Sequence, residues 1–222
     1  MSRQLEFSIG EYYHIYNRGA DKRETFLSEN DYRRFITLLY LSNSTEPLNI
    51  KIERKTFEEL FEEERNNVLV DIGAYCLMPN HFHILLKEKV ENGISKFMQK
   101  LNTSYTMYFN KKNDRSGVLF QGVFKAEHSN RDEYLEYLFS YIHLNPVKLI
   151  EPKWKEDGIK NPSKARSFLD NYRYSSYIEY KGVKRLENKI LNKEAFPVYF
   201  DEIDIDKTIR FWLEFKNKLN PQ

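Results

Sequence analysis

Runs of apolar residues and alternating polar and apolar positions predict several strands in this chain. Residues 68–77 and 82–86 are rich in strand formers, and Met78-Pro79-Asn80 separates them. A tyrosine-rich strand is expected over residues 12–16 and ends at a turn that carries two basic residues. Residues 115–125 resemble a turn followed by an extended segment, which we interpret as an edge strand.

Apolar residues at spacings of three and four predict three helices among these strands. Their apolar stripes are Tyr32, Phe35, Ile36 and Leu39; Ile94, Phe97, Met98, Leu101, Tyr105, Tyr108 and Phe109; and Tyr134, Leu135, Leu138 and Ile142. A final helix is expected to carry Ile209, Trp212, Leu213 and Phe215. The chain therefore mixes helices with strands.

Two of the predicted helices begin with a capping signal. Ser28 is followed three residues later by Asp31, and Asn130 is followed by Glu133. Each pair is a weak form of the capping box, in which the two residues satisfy each other's backbone N–H groups.

The third predicted helix ends in the run Tyr141-Ile142-His143-Leu144-Asn145-Pro146. Proline disfavours helical geometry at the residue before it, so the helix is expected to stop or kink at Asn145. Tyr141 and Asn145 are four residues apart and share a face if the last turn persists.

Two histidines separated by one residue are the main candidates for chemistry. Residues i and i+2 of a strand point to the same face, so His81 and His83 would aim at one point while Phe82 enters the core. Two neutral imidazoles at that spacing make half of a metal site. The alternative is a pair of polar residues on a solvated strand face. We interpret His14, in the tyrosine-rich strand, as a structural or DNA-facing residue rather than a ligand.

Composition limits the class of protein. The chain has 222 residues, 41% hydrophobic and 15% aromatic, which supports a packed core and excludes a disordered charged tail. Its one cysteine, Cys76, lies in an apolar strand and is expected to be a small core residue in a reducing compartment. We see no signal peptide and no apolar run that would span a membrane, so the cytoplasm is the expected location.

The distribution of charge says more than the formal net charge of +2. Between residues 92 and 126 there are six basic residues and one acidic residue, interleaved with aromatics. Lysines neutralise phosphates and aromatic rings stack on unpaired bases, so we predict nucleic-acid binding here rather than a merely solvated helix face. The candidate residues are Lys96, Lys100, Lys111, Lys112, Arg115 and Lys125, together with Arg18 in the turn after the first strand.

The chain is expected to form one main domain over residues 1–182 and a C-terminal helical extension over residues 183–222. Within the main domain, residues 48–67 contain the acidic run from Phe57 to Glu64 and are interpreted as a peripheral insertion. Its negative charge argues against DNA contact on that side.

Five blocks then occur in an order that resembles a known family. They are Tyr13-His14-Ile15-Tyr16-Asn17-Arg18-Gly19, Ala74-Tyr75-Cys76-Leu77-Met78-Pro79-Asn80-His81-Phe82-His83, Leu119-Phe120-Gln121-Gly122, Tyr141-Ile142-His143-Leu144-Asn145-Pro146-Val147-Lys148 and Ser175-Ser176-Tyr177. Over roughly residues 12–182 the chain resembles the single-tyrosine HUH transposases, in particular the REP-associated (insertion-sequence 200-like) tyrosine transposases. The second and fourth blocks together are specific.

The resemblance implies an α+β fold in which helices flank a central antiparallel sheet, in a ferredoxin-like or RRM-like arrangement. It implies that His81, His83 and Asn145 bind a divalent metal, Mg²⁺ or Mn²⁺, and that Tyr141 is the nucleophile. On ligand type alone, zinc would stand beside these two metals. The implied activity is cleavage of single-stranded DNA, with hairpins, through a covalent five-prime phosphotyrosine, followed by strand transfer.

The chain departs from the family at Val123, where an arginine is common, and at Leu149, where an alanine is common. Two groups are candidates for the base that takes the tyrosine proton, a metal-bound water and His128. The alternative functions are a relative that binds hairpin DNA or RNA without cutting it, and a hydrolytic metallonuclease. Both a monomer and a homodimer are compatible with the resemblance.

Overall fold

A four-stranded antiparallel sheet lies at the centre of the protein, in a computed structural model that describes residues 6–48, 51–200, 204 and 207–208. Its strands are β1 (Tyr12–Arg18), β2 (Val70–Met78), β3 (His81–Glu88) and β4 (Lys125–Ser129), in the order β2-β3-β1-β4. One helical connection joins β1 to β2 and another joins β3 to β4, as in the ferredoxin-like arrangement. The predicted fold class is confirmed.

The helices are α1 (Glu29–Leu41), α2 (Phe57–Phe61), α3 (Gly93–Lys112), α4 (Asp132–Leu144), α5 (Trp154–Asp157), α6 (Pro162–Asn171) and α7 (Tyr177–Tyr180). Short 3-10 helices lie at Ala20–Lys22, Ile52–Arg54, Asn145–Leu149, Leu186–Ile190, Lys193–Ala195 and Val198–Phe200. Within the described part of the chain, none of these helices has the length and apolar character needed to cross a membrane.

The two faces of the sheet carry different helices. Ile15, Phe82 and Ile84 are fully buried in the core that includes the apolar stripes of α1 and α3. Leu85 and Ile142 belong to a second core, which packs α4 against the other face. Because successive strand residues point to opposite faces, the side chains of β3 that share the orientation of Leu85 meet α4.

Glu88, at the end of β3, fixes the start of α3. Glu88 is 1% exposed, and its carboxylate accepts hydrogen bonds from the N–H groups of Gly93 (2.9 Å) and Ile94 (2.7 Å). Gly93 has no space for a side chain, since a Cβ would lie 2.2 Å from the carbonyl oxygen of Leu69. A buried carboxylate therefore caps a helix N-terminus whose donors would otherwise be unsatisfied.

The predicted Ser28 cap is confirmed and the predicted Asn130 cap is wrong. The Ser28 N–H donates to Asp31 Oδ2 at 3.0 Å, directly before α1. By contrast, α4 begins two residues after Asn130 with Arg131 at its N-cap, and no side chain caps it. The extended conformation of β4 continues to Ser129, which delays the start of the helix.

The predicted edge strand begins later than residues 115–125 suggested. Only Phe120 of the intervening loop makes a bridge, to Gly19, and the edge strand β4 starts at Lys125. Gly117 and Gly122 have φ angles of 82° and 68°, which are left-handed conformations that interrupt an extended chain. Phe120 is instead buried as an anchor for the loop.

The α-helical pattern of α4 stops at Leu144, as predicted from Pro146. Asn145 nevertheless keeps φ −51° and ψ −40°, and the chain continues as the 3-10 helix Asn145–Leu149. The side chains of Tyr141 and Asn145 therefore stay on one face, and Asn145 Nδ2 donates to the Tyr141 carbonyl at 3.2 Å.

The acidic insertion and the C-terminal segment pack against each other. Leu60 and Phe61 of α2 are buried, and Lys189 donates to the Phe61 carbonyl and to Glu62. Phe196 packs onto Gly73 in β2, where a Cβ would lie 2.5 Å from its ring. The domain boundary near residue 182 stays a prediction, and the helix expected over residues 209–215 lies outside the described residues.

We expect Glu88→Ala to lower the free energy of unfolding by about 1–3 kcal/mol, because two buried N–H groups lose their acceptor. Chemical denaturation followed by circular dichroism measures this change. Glu91→Ala is the matched control, since Glu91 is exposed two residues before α3 and should change stability by no more than about 0.5 kcal/mol. Equal stabilities of the two variants would contradict the assigned capping role.

Candidate active site

The pairing of β1 with β3 brings three imidazoles to the face of the sheet that α4 covers. Tyr16 pairs with His83 and Arg18 pairs with His81 in the antiparallel register. His14 Nε2 lies 2.8 Å from His83 Nδ1, and the two rings stack with centroids 5.0 Å apart. The centroids of the His81 and His83 rings are 5.1 Å apart. The expectation that the H-x-H pair shares one face agrees with this geometry.

His81 is held as a neutral imidazole whose Nε2 carries no proton. Its Nδ1 lies 2.6 Å from Asn80 Oδ1, and Asn80 Nδ2 donates to the Lys22 carbonyl, which fixes the orientation of that amide. His81 Nδ1 is therefore the protonated nitrogen, and Nε2 keeps its lone pair. Burial, with the positive charge of Lys148 beside it, lowers the pKa of His81 to about 4.

His83 is oriented through a chain of groups that ends at Glu127. The His14 Nδ1 lies 3.7 Å from Glu127 Oε2, which favours a proton on Nδ1 and leaves Nε2 to accept from His83 Nδ1–H. His83 Nε2 then keeps its lone pair. Burial lowers the pKa of His83 well below its ordinary value, and the neighbouring His14 and His81 add to this effect.

Glu127 is itself held in the ionised form. The contact with His14 keeps the pKa of the Glu127 carboxyl at about 2, and the hydroxyls of Tyr16 (2.8 Å) and Tyr134 (3.0 Å) donate to it as well. A fixed negative charge therefore lies behind His14, on the side away from His83.

Tyr141 and Asn145 approach the imidazoles from α4. The Tyr141 ring stands edge-on to His83 and to His14, with centroid separations of 5.5 and 6.1 Å. The side chain of Asn145 is buried and lies within hydrogen-bonding reach of the His81 ring. The structure thus brings together all four residues that the resemblance implied, from β3 and from the last turn of α4.

The donor set fits a divalent metal with open positions. His81 and His83 are neutral imidazoles, each with one unprotonated ring nitrogen, and Asn145 supplies an amide oxygen. Within the described ranges no three His, Cys, Asp or Glu side chains form a metal-binding group. His14 does not complete one, because its Nε2 is engaged by His83.

Two lysines that we did not single out from the sequence also reach the site. Lys155 Nζ lies 2.5 Å from Tyr141 Oη and 4.1 Å from the centroid of its ring. Lys148 and Lys155 both act electrostatically on His81, as does Arg18. Lys148 lies in one of the quoted sequence blocks, but Lys155 lies in a polar stretch with no pattern to mark it.

The predicted DNA-contacting residues divide between the two faces of the sheet. Arg18 and Lys125 are paired with residues of the site face, through His81 and Tyr16 respectively. The α3 lysines Lys96, Lys100, Lys111 and Lys112, with Arg115 just after the helix, lie on the layer that packs against the opposite face.

Two of the α3 lysines are engaged within the protein. Lys100 Nζ donates to the carbonyls of Ser44 and Glu46, and Lys112 Nζ lies 2.6 Å from Asp31. Binding of DNA by the cations of α3 stays a prediction, and the structure does not bring them to the imidazole pair.

His128 lies on the wrong side of the sheet for proton transfer from Tyr141. It is paired with Tyr13 across β1 and β4, its ring stacks on that residue, and its Nε2 contacts Glu11 at 2.9 Å. His14 occupies the position near Tyr141 instead. In the sequence, the alternation of His14 with Tyr16 indicates that both side chains point to one face of the strand. Only the register of β1 with β3 shows that this face is the one that carries His83.

Comparisons with known proteins agree with this picture. Residues 12–145, more than half of the chain, match the family model described as "Transposase IS200 like". A solved structure titled as the REP-associated tyrosine transposase bound to a REP hairpin aligns with a TM-score of 0.51 at 12% identity. The alignment covers 84% of this chain and 90% of that one, and at this identity the likeness shows a shared fold. No curated protein matches the chain.

We expect His14→Phe to lower the free energy of unfolding by about 1–3 kcal/mol. Phenylalanine keeps a planar ring in the stack but leaves the buried His83 Nδ1–H without an acceptor. Denaturation monitored by circular dichroism measures stability, and ¹⁵N imidazole shifts report the tautomer of His83. His128→Phe is the control, and a loss there equal to that of His14→Phe would argue against a specific role of the pair.

Proposed function

This chain belongs to the family of IS200-like transposases, and from that premise we propose that it cleaves and rejoins single-stranded DNA with Tyr141 as nucleophile. The observation that carries the proposal is the convergence of the Tyr141 ring with His81, His83 and Asn145 on one face of the sheet. Tyr141 is only half-buried, so part of its side chain stays accessible to solvent.

The proposed reaction exchanges one phosphodiester for another. The Tyr141 oxygen forms a bond to phosphorus while the bond from phosphorus to the three-prime oxygen breaks, and that oxygen leaves with its electron pair. The phenol proton passes to solvent, and the three-prime oxygen takes a proton from solvent. The products are a five-prime phosphotyrosine and a free three-prime hydroxyl. The phosphotyrosine linkage conserves the energy of the broken phosphodiester bond, so rejoining needs no other energy source.

We propose Mg²⁺ or Mn²⁺ as the cofactor, held by His81, His83 and Asn145. Such an ion, when bound, polarises a phosphate oxygen and orients the phosphate that is attacked. The protein prepares its own side of the site: burial keeps both imidazoles neutral, and the contacts with Asn80 and His14 direct a lone pair of each ring towards the site.

The proposed substrate is single-stranded DNA that carries a hairpin. A solved structure of the same fold is described as bound to a REP hairpin. On the site face of this chain, Arg18, Lys125, Lys148 and Lys155 place positive charge around the imidazoles, where it would neutralise DNA phosphates. We place the DNA strand along this face.

We expect wild-type protein with Mn²⁺ to form a covalent adduct with a single-stranded hairpin oligonucleotide, and Tyr141→Phe to form none. Phenylalanine keeps the ring but lacks the attacking oxygen. Adducts that resist denaturant are measured on gels with labelled DNA. The matched control is Tyr137→Phe, because Tyr137 stacks on Tyr141 with its centroid 6.1 Å away and should leave adduct formation intact.

The other outcomes of that experiment would indicate a different function or a different nucleophile. Cleavage without an adduct would indicate a hydrolytic metallonuclease. Binding without cleavage by wild-type protein would indicate a relative that only holds hairpin DNA or RNA. An equal adduct from wild type and Tyr141→Phe would remove Tyr141 from the nucleophilic role.

We expect His81→Ala to weaken Mn²⁺ binding about 10–100-fold, since one of two imidazole ligands is lost. Isothermal titration calorimetry or the Mn²⁺ spin-resonance signal measures the affinity without DNA. His128→Ala, on the opposite face of the sheet, should bind Mn²⁺ like the wild type. Unchanged binding by His81→Ala would exclude the proposed ligand set.

A further inference from the structure

The contact between Lys155 and Tyr141 is not accounted for by metal binding or by the imidazole pair. Lys155 Nζ donates a hydrogen bond to Tyr141 Oη at 2.5 Å. The same nitrogen lies 4.1 Å from the centroid of the Tyr141 ring. A cation therefore touches the one oxygen that attacks phosphorus in the proposed reaction.

Local packing holds Lys155 in this place. Its neighbour Trp154 is 1% exposed and is buried in a cluster with Leu144 and Val147, which directly follow the helical turn that carries Tyr141. Since Trp154 fixes the start of α5 against the end of α4, the Lys155 backbone is anchored beside the phenol. The side chain itself is only half-buried, so its ammonium group can stay hydrated.

The other groups that surround the Tyr141 ring are aromatic side chains. His83 and His14 lie edge-on to it, Tyr137 stacks on it, and Tyr16 stacks with His14 nearby. The negative charge of Glu127 lies behind His14. Lys155 thus brings a positive charge into contact with the phenol oxygen.

We propose that Lys155 is a catalytic residue whose ammonium group stabilises the negative charge on the Tyr141 oxygen. This inference rests on the proposed function, and it adds a group that acts on the nucleophile rather than on the phosphate. In cleavage, Lys155 stabilises the oxygen as its proton leaves for solvent and its bond to phosphorus forms. In rejoining, the three-prime hydroxyl loses its proton to solvent, attacks phosphorus and breaks the bond to Tyr141, which departs as a phenolate held by Lys155.

Lys155 keeps its protons throughout both steps, so neither step needs a further reactant. A hydrogen bond from a fixed cation to an oxygen that gains charge is worth more in the transition state than in the ground state. A phenol is a weak nucleophile at neutral pH, since the ordinary pKa of its class is about 10. The same cation that assists attack then makes the tyrosine a better leaving group, which suits a reaction that must run in both directions.

The test is the single-turnover rate of adduct formation at saturating hairpin DNA and Mn²⁺, where differences in DNA affinity do not contribute. We expect Lys155→Gln to slow adduct formation about 100-fold and Lys155→Arg to stay within about tenfold of wild type, because arginine keeps the charge and the donors. Lys153→Gln, an exposed neighbour, is the control and should be unchanged. Circular dichroism verifies that the variants are folded, and Lys155→Met, which also removes the charge, is measured instead if Lys155→Gln does not fold.

A second measurement separates action on the phenol from action on the DNA. Fluorotyrosine placed at position 141 is an intrinsically more acidic phenol and needs less help to carry negative charge. The loss caused by Lys155→Gln should therefore shrink in the fluorinated protein. An equal loss in both proteins would mean that Lys155 contacts DNA only, and would overturn this inference.

The two proposals can fail separately. If wild type forms the adduct and Lys155→Gln forms it at the same rate, the role of Lys155 is excluded and the proposed function stands. If wild-type protein forms no adduct at all, the proposed function is wrong and this inference falls with it.

Discussion

The antiparallel pairing of β1 with β3 is the interaction on which the rest of the site depends. It sets His14 beside His83 and Arg18 opposite His81, and a shift of one residue would turn these side chains to the other face. The register is protected because Ile15, Phe82 and their neighbours must face the core under α1 and α3. Burial of the apolar face of β1 and β3 therefore fixes which residues lie on the opposite face, where the imidazoles are.

Burial gives the imidazoles of this site their chemical state. In water His81 would titrate near neutral pH, but burial lowers its pKa to about 4 and leaves it a neutral imidazole. The cost of burying His83 is offset by its hydrogen bond to His14, which in turn lies against the ionised Glu127. Charge is kept at the edge of the site, on groups such as Lys155.

The fold separates stability from chemistry. One face of the sheet carries a large aromatic and aliphatic core with α1 and α3, which needs no solvent access. The other face is covered by α4 over Leu85 and Ile142, and by the C-terminal Phe196 and Phe200. The cations near the imidazoles lie on this face, whereas the α3 lysines that dominate the basic stretch of the sequence lie on the layer against the opposite face.

The sequence alone determined the elements of local origin: the H-x-H pair on one strand face, the apolar stripes of α1, α3 and α4, and the spacing of Tyr141 and Asn145. Period-two and period-3.6 patterns depend on near neighbours, so they can be read directly. Only the tertiary structure decided that His14 supports His83 and that Lys155, in a stretch without pattern, contacts Tyr141. Those contacts join residues 69 and 14 positions apart, and they depend on strand register and on how α5 packs, which no local pattern encodes.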